Sequence, residues 1–136
     1  MRLKKAFLIL AFVMVSVIAF LYGINPPWFA RTFLGVETLS VNFAHILRAV
    51  MCLYLALGFF WLFSAFSNTH RNTAILTTII FAGGLVIGRL LSFIIDGQPA
   101  PPLILYAGLE FTIVPMAWWI YKQPDEPVDT VKSGSA

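Results

Sequence analysis

Charge is scarce in this chain. Its 136 residues carry nine Lys or Arg and six Asp or Glu, 11% of the sequence, where an average soluble domain has about 25%. That deficit excludes a fold clad in water on every side. Cysteine occurs once, at Cys52 inside an apolar segment, so an intrachain disulfide and a Cys-based metal cluster are excluded. Histidine occurs twice. The topology worked out below puts His70 at the cytoplasmic side and His45 in the outer half of a span, too far apart for paired haem or metal ligation within one chain. No metal and no cofactor are therefore expected. The basic residues are scattered, without a basic stripe interleaved with aromatics, so nucleic acid is not an expected partner. Gly83 and Gly84 have no strand before them and no phosphate motif around them, which gives nucleotide binding no support.

What the chain has in excess is hydrocarbon: 60% of its residues are hydrophobic, 13 of them Phe. Four runs are long enough to cross a bilayer, each needing about 20 apolar residues. The expected fold class is an all-α integral membrane four-helix bundle. Its single domain covers residues 1–122, with helices at about 6–22, 41–66, 73–95 and 103–121. The first run follows a basic start, which also describes a secretory signal peptide. No small-x-small cleavage pattern follows it, so an uncleaved helix is the better reading. Residues 24–40 hold Pro26, Pro27, Arg31, Gly35 and Glu37, too broken to span. A short surface helix over 28–34 or an ordinary loop fits there, with Trp28 at the membrane interface. SNTHRN turns the second helix into the third, making them antiparallel neighbours. In DGQPAPP, Gly97 suits a helix C-terminus and the prolines suit a helix start. Pro115 is expected to kink the fourth helix, and Trp118, Trp119 and Tyr121 to form an interfacial aromatic belt. The tail, residues 123–136, lacks apolar periodicity and is expected to be disordered. Arg2, Lys4, Lys5, Arg71, Lys122 and Lys132 fall on one side of such a bundle, and Arg31 alone on the other. Both termini are thus expected in the cytoplasm.

Arg48 and Arg89 remain, inside the spans, and so does Glu110. At 1.5 Å per residue all three lie roughly 9 to 11 Å below the outer boundary. On the second helix Asn42, His45 and Arg48 occupy an arc of about 120°, with Ala49, Cys52 and Ala56 along the same side. On the third, Arg89, Ser92 and Asp96 share a stripe, and Gly84 and Gly88 form a small-xxx-small pair that would admit another helix closely. Tyr106 stands one turn before Glu110 on the fourth. An ionised group at membrane depth costs about 2.5 to 3.5 kcal/mol unless it is paired or hydrated. Glu110 is therefore expected to accept from Arg48, Arg89 or both, with Asp96 nearer the outer mouth.

Arg48, Arg89, Asp96 and Glu110 sum to zero formal charge and could simply fasten three helices together. A binding reading instead gives the unspent arginine donors to a small anionic or amphipathic ligand, such as a membrane lipid headgroup. That ligand would sit in an outer-half cavity lined by Asn42, His45, Arg48, Arg89, Ser92, Asp96 and Glu110. Arg48 and Arg89 would hold the anion, Glu110 would orient them, and His45 with Asn42 would add directional hydrogen bonds. His45 read alone is more simply a hydrogen-bonded interior histidine, and Cys52 a small packed residue. No second acid, nucleophile or metal constellation points to catalysis. A structural or assembly subunit of a larger membrane complex, or a homo-oligomer, is the alternative. Transport by alternating access has little room in four helices unless the protein oligomerises.

The combination RAVMCLYLALG, then GLVIGRLLSFIIDGQP, then LE in the last span resembles an uncharacterised bacterial membrane family, domain of unknown function 4345. The resemblance covers residues 22–121. It is carried by Gly88, Arg89, Ser92, Asp96, Gly97 and Pro99, with Arg48, Tyr54, Leu55 and Glu110 in support. This chain departs from the pattern at Cys52, where glycine is more usual. The resemblance implies a small four-helix protein of the bacterial inner membrane and supplies no activity. A looser likeness to the DoxX-like families is architectural, and fold-level analogy assigns no function.

Overall fold

The structure, a computed structural model, describes residues 2–99 and 101–124. All regular structure among them is helical. Helix α1 spans Arg2–Gly23 and begins before residue 6 because the basic residues ahead of the apolar run are good helix formers. Asn25 caps the short α2, Pro26–Phe29, by accepting the Trp28 backbone N–H at 3.2 Å. Pro26 and Pro27 occupy its first turn, where their missing N–H groups are no loss. A π-helical turn, Ala30–Leu34, follows and ends at Gly35, whose φ of 69° lies in the left-handed region. Ser40 then caps α3, Val41–Ala65, by accepting the Phe43 N–H at 3.2 Å. Helices α4, Arg71–Ile95, and α5, Pro101–Tyr121, complete the chain. The surface segment is therefore helical over more of its length than 28–34. The tail expected to be disordered lies, from residue 125 onward, outside the described residues.

The four long helices are each long and apolar enough to cross a membrane. Phe63 and Ile94, 84% and 81% exposed, suit contact with hydrocarbon. Burial of apolar surface does not drive such helices together in lipid, where close packing does. That packing is visible between α1 and α3, which touch along most of their length. Gly23 lies against Met51, and Gly58 takes Val15 and Phe12 so closely that a Cβ there would sit 2.8 Å from Val15 Cγ1. Helices α4 and α5 form the second close pair.

The two pairs meet most tightly at the end that carries the start of α1 and the α3–α4 turn. Phe7, Leu8, Trp61, Ala65, Ala74 and Ile75 form the core there, with Ala117 and Ile120. Trp61 donates through Nε1 to Thr77 Oγ1 at 3.1 Å, and Thr77 donates on to the Ala74 carbonyl at 2.7 Å. Arg71 caps the last turn of α3, giving Nε and Nη2 to the Ala65 carbonyl at 3.2 and 3.0 Å. Lys4 is only 1% exposed and donates to Asn72 Oδ1 at 2.8 Å. Lys122 lies over the Trp118 ring, 4.9 Å from its centroid. Toward the opposite end the pairs part, and a cleft opens.

Candidate functional site

At the α2 end, Arg89 on α4 and Glu110 on α5 face each other, with Nε 3.4 Å from Oε2. The contact is single and long for a charged pair, whose hydrogen bonds run closer to 2.7–2.9 Å. One nitrogen donates, so the guanidinium keeps donors for other acceptors. The Tyr22 hydroxyl, on the last turn of α1, lies near enough to Arg89 to interact with its charge. The arginine pairs α4 with α5 and reaches α1 as well.

Tyr22 is held by aromatic contacts on both sides. Its ring meets Phe29 edge-on at 4.7 Å and Tyr54 at 5.9 Å. Tyr54 in turn meets Phe81 edge-on at 5.1 Å, and Phe81 meets Trp61 at 5.6 Å. Such geometry is favoured by the ring quadrupoles. Phe29 is 1% exposed. The α2 segment is thus docked on Tyr22, beside the polar cluster.

Below the cluster runs a cavity of about 80 Å³, several times the ~10–15 Å³ that admits one water. Leu10, Met14 and Ile18 of α1 form one wall, Ile113 and Met116 of α5 the other, and Phe81, Ala82 and Leu85 of α4 the floor. Its polar end presents Tyr22, Tyr54, Tyr106 and Glu110. Glu110 lies on the wall, with Arg89 behind it. Leu10 and Met116 are exposed at the rim, so the cleft reaches the lipid-facing surface between α1 and α5.

Of the residues expected to share one inward surface, the structure brings Arg89 and Glu110 together. Ser92 and Asp96 are exposed. Asp96 ends α4 with its N–H on the Ser92 carbonyl, and Gly97 takes a φ of 87°, so DGQP works here as a turn. Asn42, His45 and Arg48 are also exposed, as are Ala49, Cys52 and Ala56. The expectation of an inward polar face on the second helix is not met within the chain. The stripe that α3 buries is Leu47, Met51, Tyr54, Gly58, Trp61 and Ala65, and a rotation of 100° per residue puts Asn42, His45, Cys52 and Ala56 on the far side. His45 is accordingly not an interior histidine, and Glu110 pairs with Arg89 alone among the described residues. No helix of the chain packs closely on Gly84 and Gly88, both of which face open space. Helix α5 runs unbroken through Pro115.

Tyr22 joins the cluster from outside the residues expected there, whereas Tyr106 was expected one turn from Glu110. Tyr22 carried a signal: it is the only aromatic hydroxyl on α1, placed immediately before the chain breaks at GINPP.

A family model for a domain of unknown function (DUF4345) matches residues 3–121. The chain belongs to the DUF4345 family. Neither a curated protein nor a solved structure matches it. Every residue of the polar cluster, and every described residue but Arg2 and 122–124, lies within the DUF4345 match.

Proposed function

We propose that this DUF4345 protein is a multi-pass protein of the bacterial inner membrane that holds a small amphipathic molecule. The head would rest against Glu110, Arg89 and the tyrosines around them, and the tail in the apolar cleft between α1 and α5. One observation carries the reading: a narrow cavity, apolar along its length, ends in a cluster of hydrogen-bonding groups and reaches the lipid-facing surface. Pockets of this make-up, mostly apolar with a few convergent polar groups, are where small ligands bind. The end bearing Lys4, Lys5, Arg71 and Lys122 would face the cytoplasm by the positive-inside rule, which puts the polar cluster in the outer leaflet. Native mass spectrometry of gently extracted protein tests it. A co-purifying molecule of defined mass is expected, lost when Glu110→Leu removes the polar wall. Empty wild-type protein, or equal retention by the variant, would count against the proposal.

A second reading rests on a different observation, the exposed stripe of Asn42, His45, Cys52 and Ala56 on α3 with Arg48 beside it. A guanidinium at membrane depth without a partner costs about 2.5 to 3.5 kcal/mol, which favours covering that face in an assembly. Oxidative crosslinking through Cys52, the single thiol, checks for a second copy. A Cys52-dependent dimer in membranes that weakens in Arg48→Leu is expected, and its absence removes the homodimer from this reading.

A further inference from the structure

The cleft also bears on what kind of head it takes, an inference that rests on the amphipath-binding reading above. We propose that the ligand is a neutral single-chain amphipath whose head carries a hydroxyl group. Charge is the first ground. Glu110 lines the cavity and Arg89, 3.4 Å from it, does not, so the polar end is formally neutral with its negative member on the cavity wall. An anionic head would approach the carboxylate before it reached the guanidinium. A cationic head would meet a carboxylate already paired and a guanidinium repelling it.

The second ground is hydrogen bonding. Glu110 uses Oε2 toward Arg89, and an ionised carboxylate is an acceptor only. Its other oxygen therefore calls for a donor. Tyr22, Tyr54 and Tyr106 on the same wall can donate or accept. A hydroxyl both donates and accepts, and so can engage Glu110 and a tyrosine together. A simple ester or ketone, lacking the donor, can engage a tyrosine but not Glu110.

The third ground is width. The remaining lining is hydrocarbon apart from Thr78, whose hydroxyl is spent on the Ala74 carbonyl, around a volume of about 80 Å³. At ~10–15 Å³ for one water, that space takes the head-proximal part of one chain, the rest of which would extend past Leu10 and Met116 into lipid, and it is too small for two.

The test is a titration of the full chain in a non-ionic detergent, read by native mass spectrometry, with five probes sharing an oleoyl or oleyl chain. Oleyl alcohol and 1-oleoylglycerol are neutral hydroxyl heads, oleate and 1-oleoyl-lysophosphatidate are anions, and oleylamine is a cation. The hydroxyl probes are expected to bind at least tenfold more tightly than the charged ones. Ala11→Phe, which fills the cleft away from the polar cluster, should weaken them at least tenfold, while Arg48→Gln, outside the cleft, should leave them unchanged. Equal or tighter binding of an anion or the amine overturns the neutral-head inference and leaves amphipath binding standing. Binding by no probe overturns both. Hydroxyl-probe binding that survives Ala11→Phe in protein that still folds, judged by circular dichroism and gel filtration, places the lipid elsewhere and overturns the inference as well.

Discussion

Replacing Glu110 by Gln removes the charge opposite Arg89 while keeping the side chain's size and one acceptor oxygen. At the observed 3.4 Å and an effective dielectric constant of about 20, the Coulomb attraction lost is about 5 kcal/mol. That is a gross figure, since the pair also gave up solvation to form. The arginine left behind can recover part of it through the Tyr22 hydroxyl and by bending toward the membrane surface. The bound on the net cost is the insertion penalty of an unpaired guanidinium, about 2.5 to 3.5 kcal/mol. An expected loss of about 2–3 kcal/mol follows for Glu110→Gln, and a comparable one for Arg89→Gln, which leaves the carboxylate alone. The double variant should lose less than the sum, because the second change removes the very group stranded by the first. A coupling energy of about 1–3 kcal/mol is expected, the range for residues in direct contact. Reversible unfolding in mixed detergent and SDS micelles, followed by circular dichroism, gives all four values. Additive losses, with coupling below about 0.5 kcal/mol, would refute the claim that this pair ties α4 to α5.

Gly58→Ala should destabilise the protein by about 1–3 kcal/mol in the same assay, since its Cβ would lie 2.8 Å from Val15 Cγ1 and 3.3 Å from Phe12 Cδ2. Gly84→Ala and Gly88→Ala meet open space and improve helix propensity, so the folded monomer should be unchanged or more stable; a loss would mean that another molecule packs there. Trp61→Phe deletes the bond to Thr77 and should cost about 0.5–1.5 kcal/mol, read as a lowered unfolding midpoint.

Span number was legible from the sequence because it rests on length and composition alone. Each long run is apolar nearly throughout, and the caps Ser40 and Asn25 and the left-handed Gly35 and Gly97 mark where helices must start or stop. The pairing of Arg89 with Glu110 was legible for a similar reason, because two opposite charges brought to one depth on adjacent helices have strong cause to meet. Helix phase was harder. In water, polar residues turn outward and apolar ones inward, but in lipid both faces of α3 can be apolar, and small residues lie on both. Gly58 marks the face that meets α1, whereas Ala49, Cys52 and Ala56 mark the opposite one. Periodicity finds both stripes and ranks neither.

The position of the cleft follows from the same packing. Ala65, Ala74, Ala117 and the hydrogen-bonded Trp61 let the two helix pairs close at the end bearing the α3–α4 turn. At the other end, the bulk of Tyr22, Tyr54, Tyr106 and Phe81, together with an ion pair that needs room for a guanidinium, holds the pairs apart. The α2 segment packs beside that end through Phe29 on Tyr22. A way in is sideways, past the exposed Leu10 and Met116. A molecule that uses it must already be dissolved in the bilayer, and its head must shed water before it reaches Glu110. A neutral head gives up that water at far lower cost than an ionised one, so the route of entry and the charge of the site favour the same ligand.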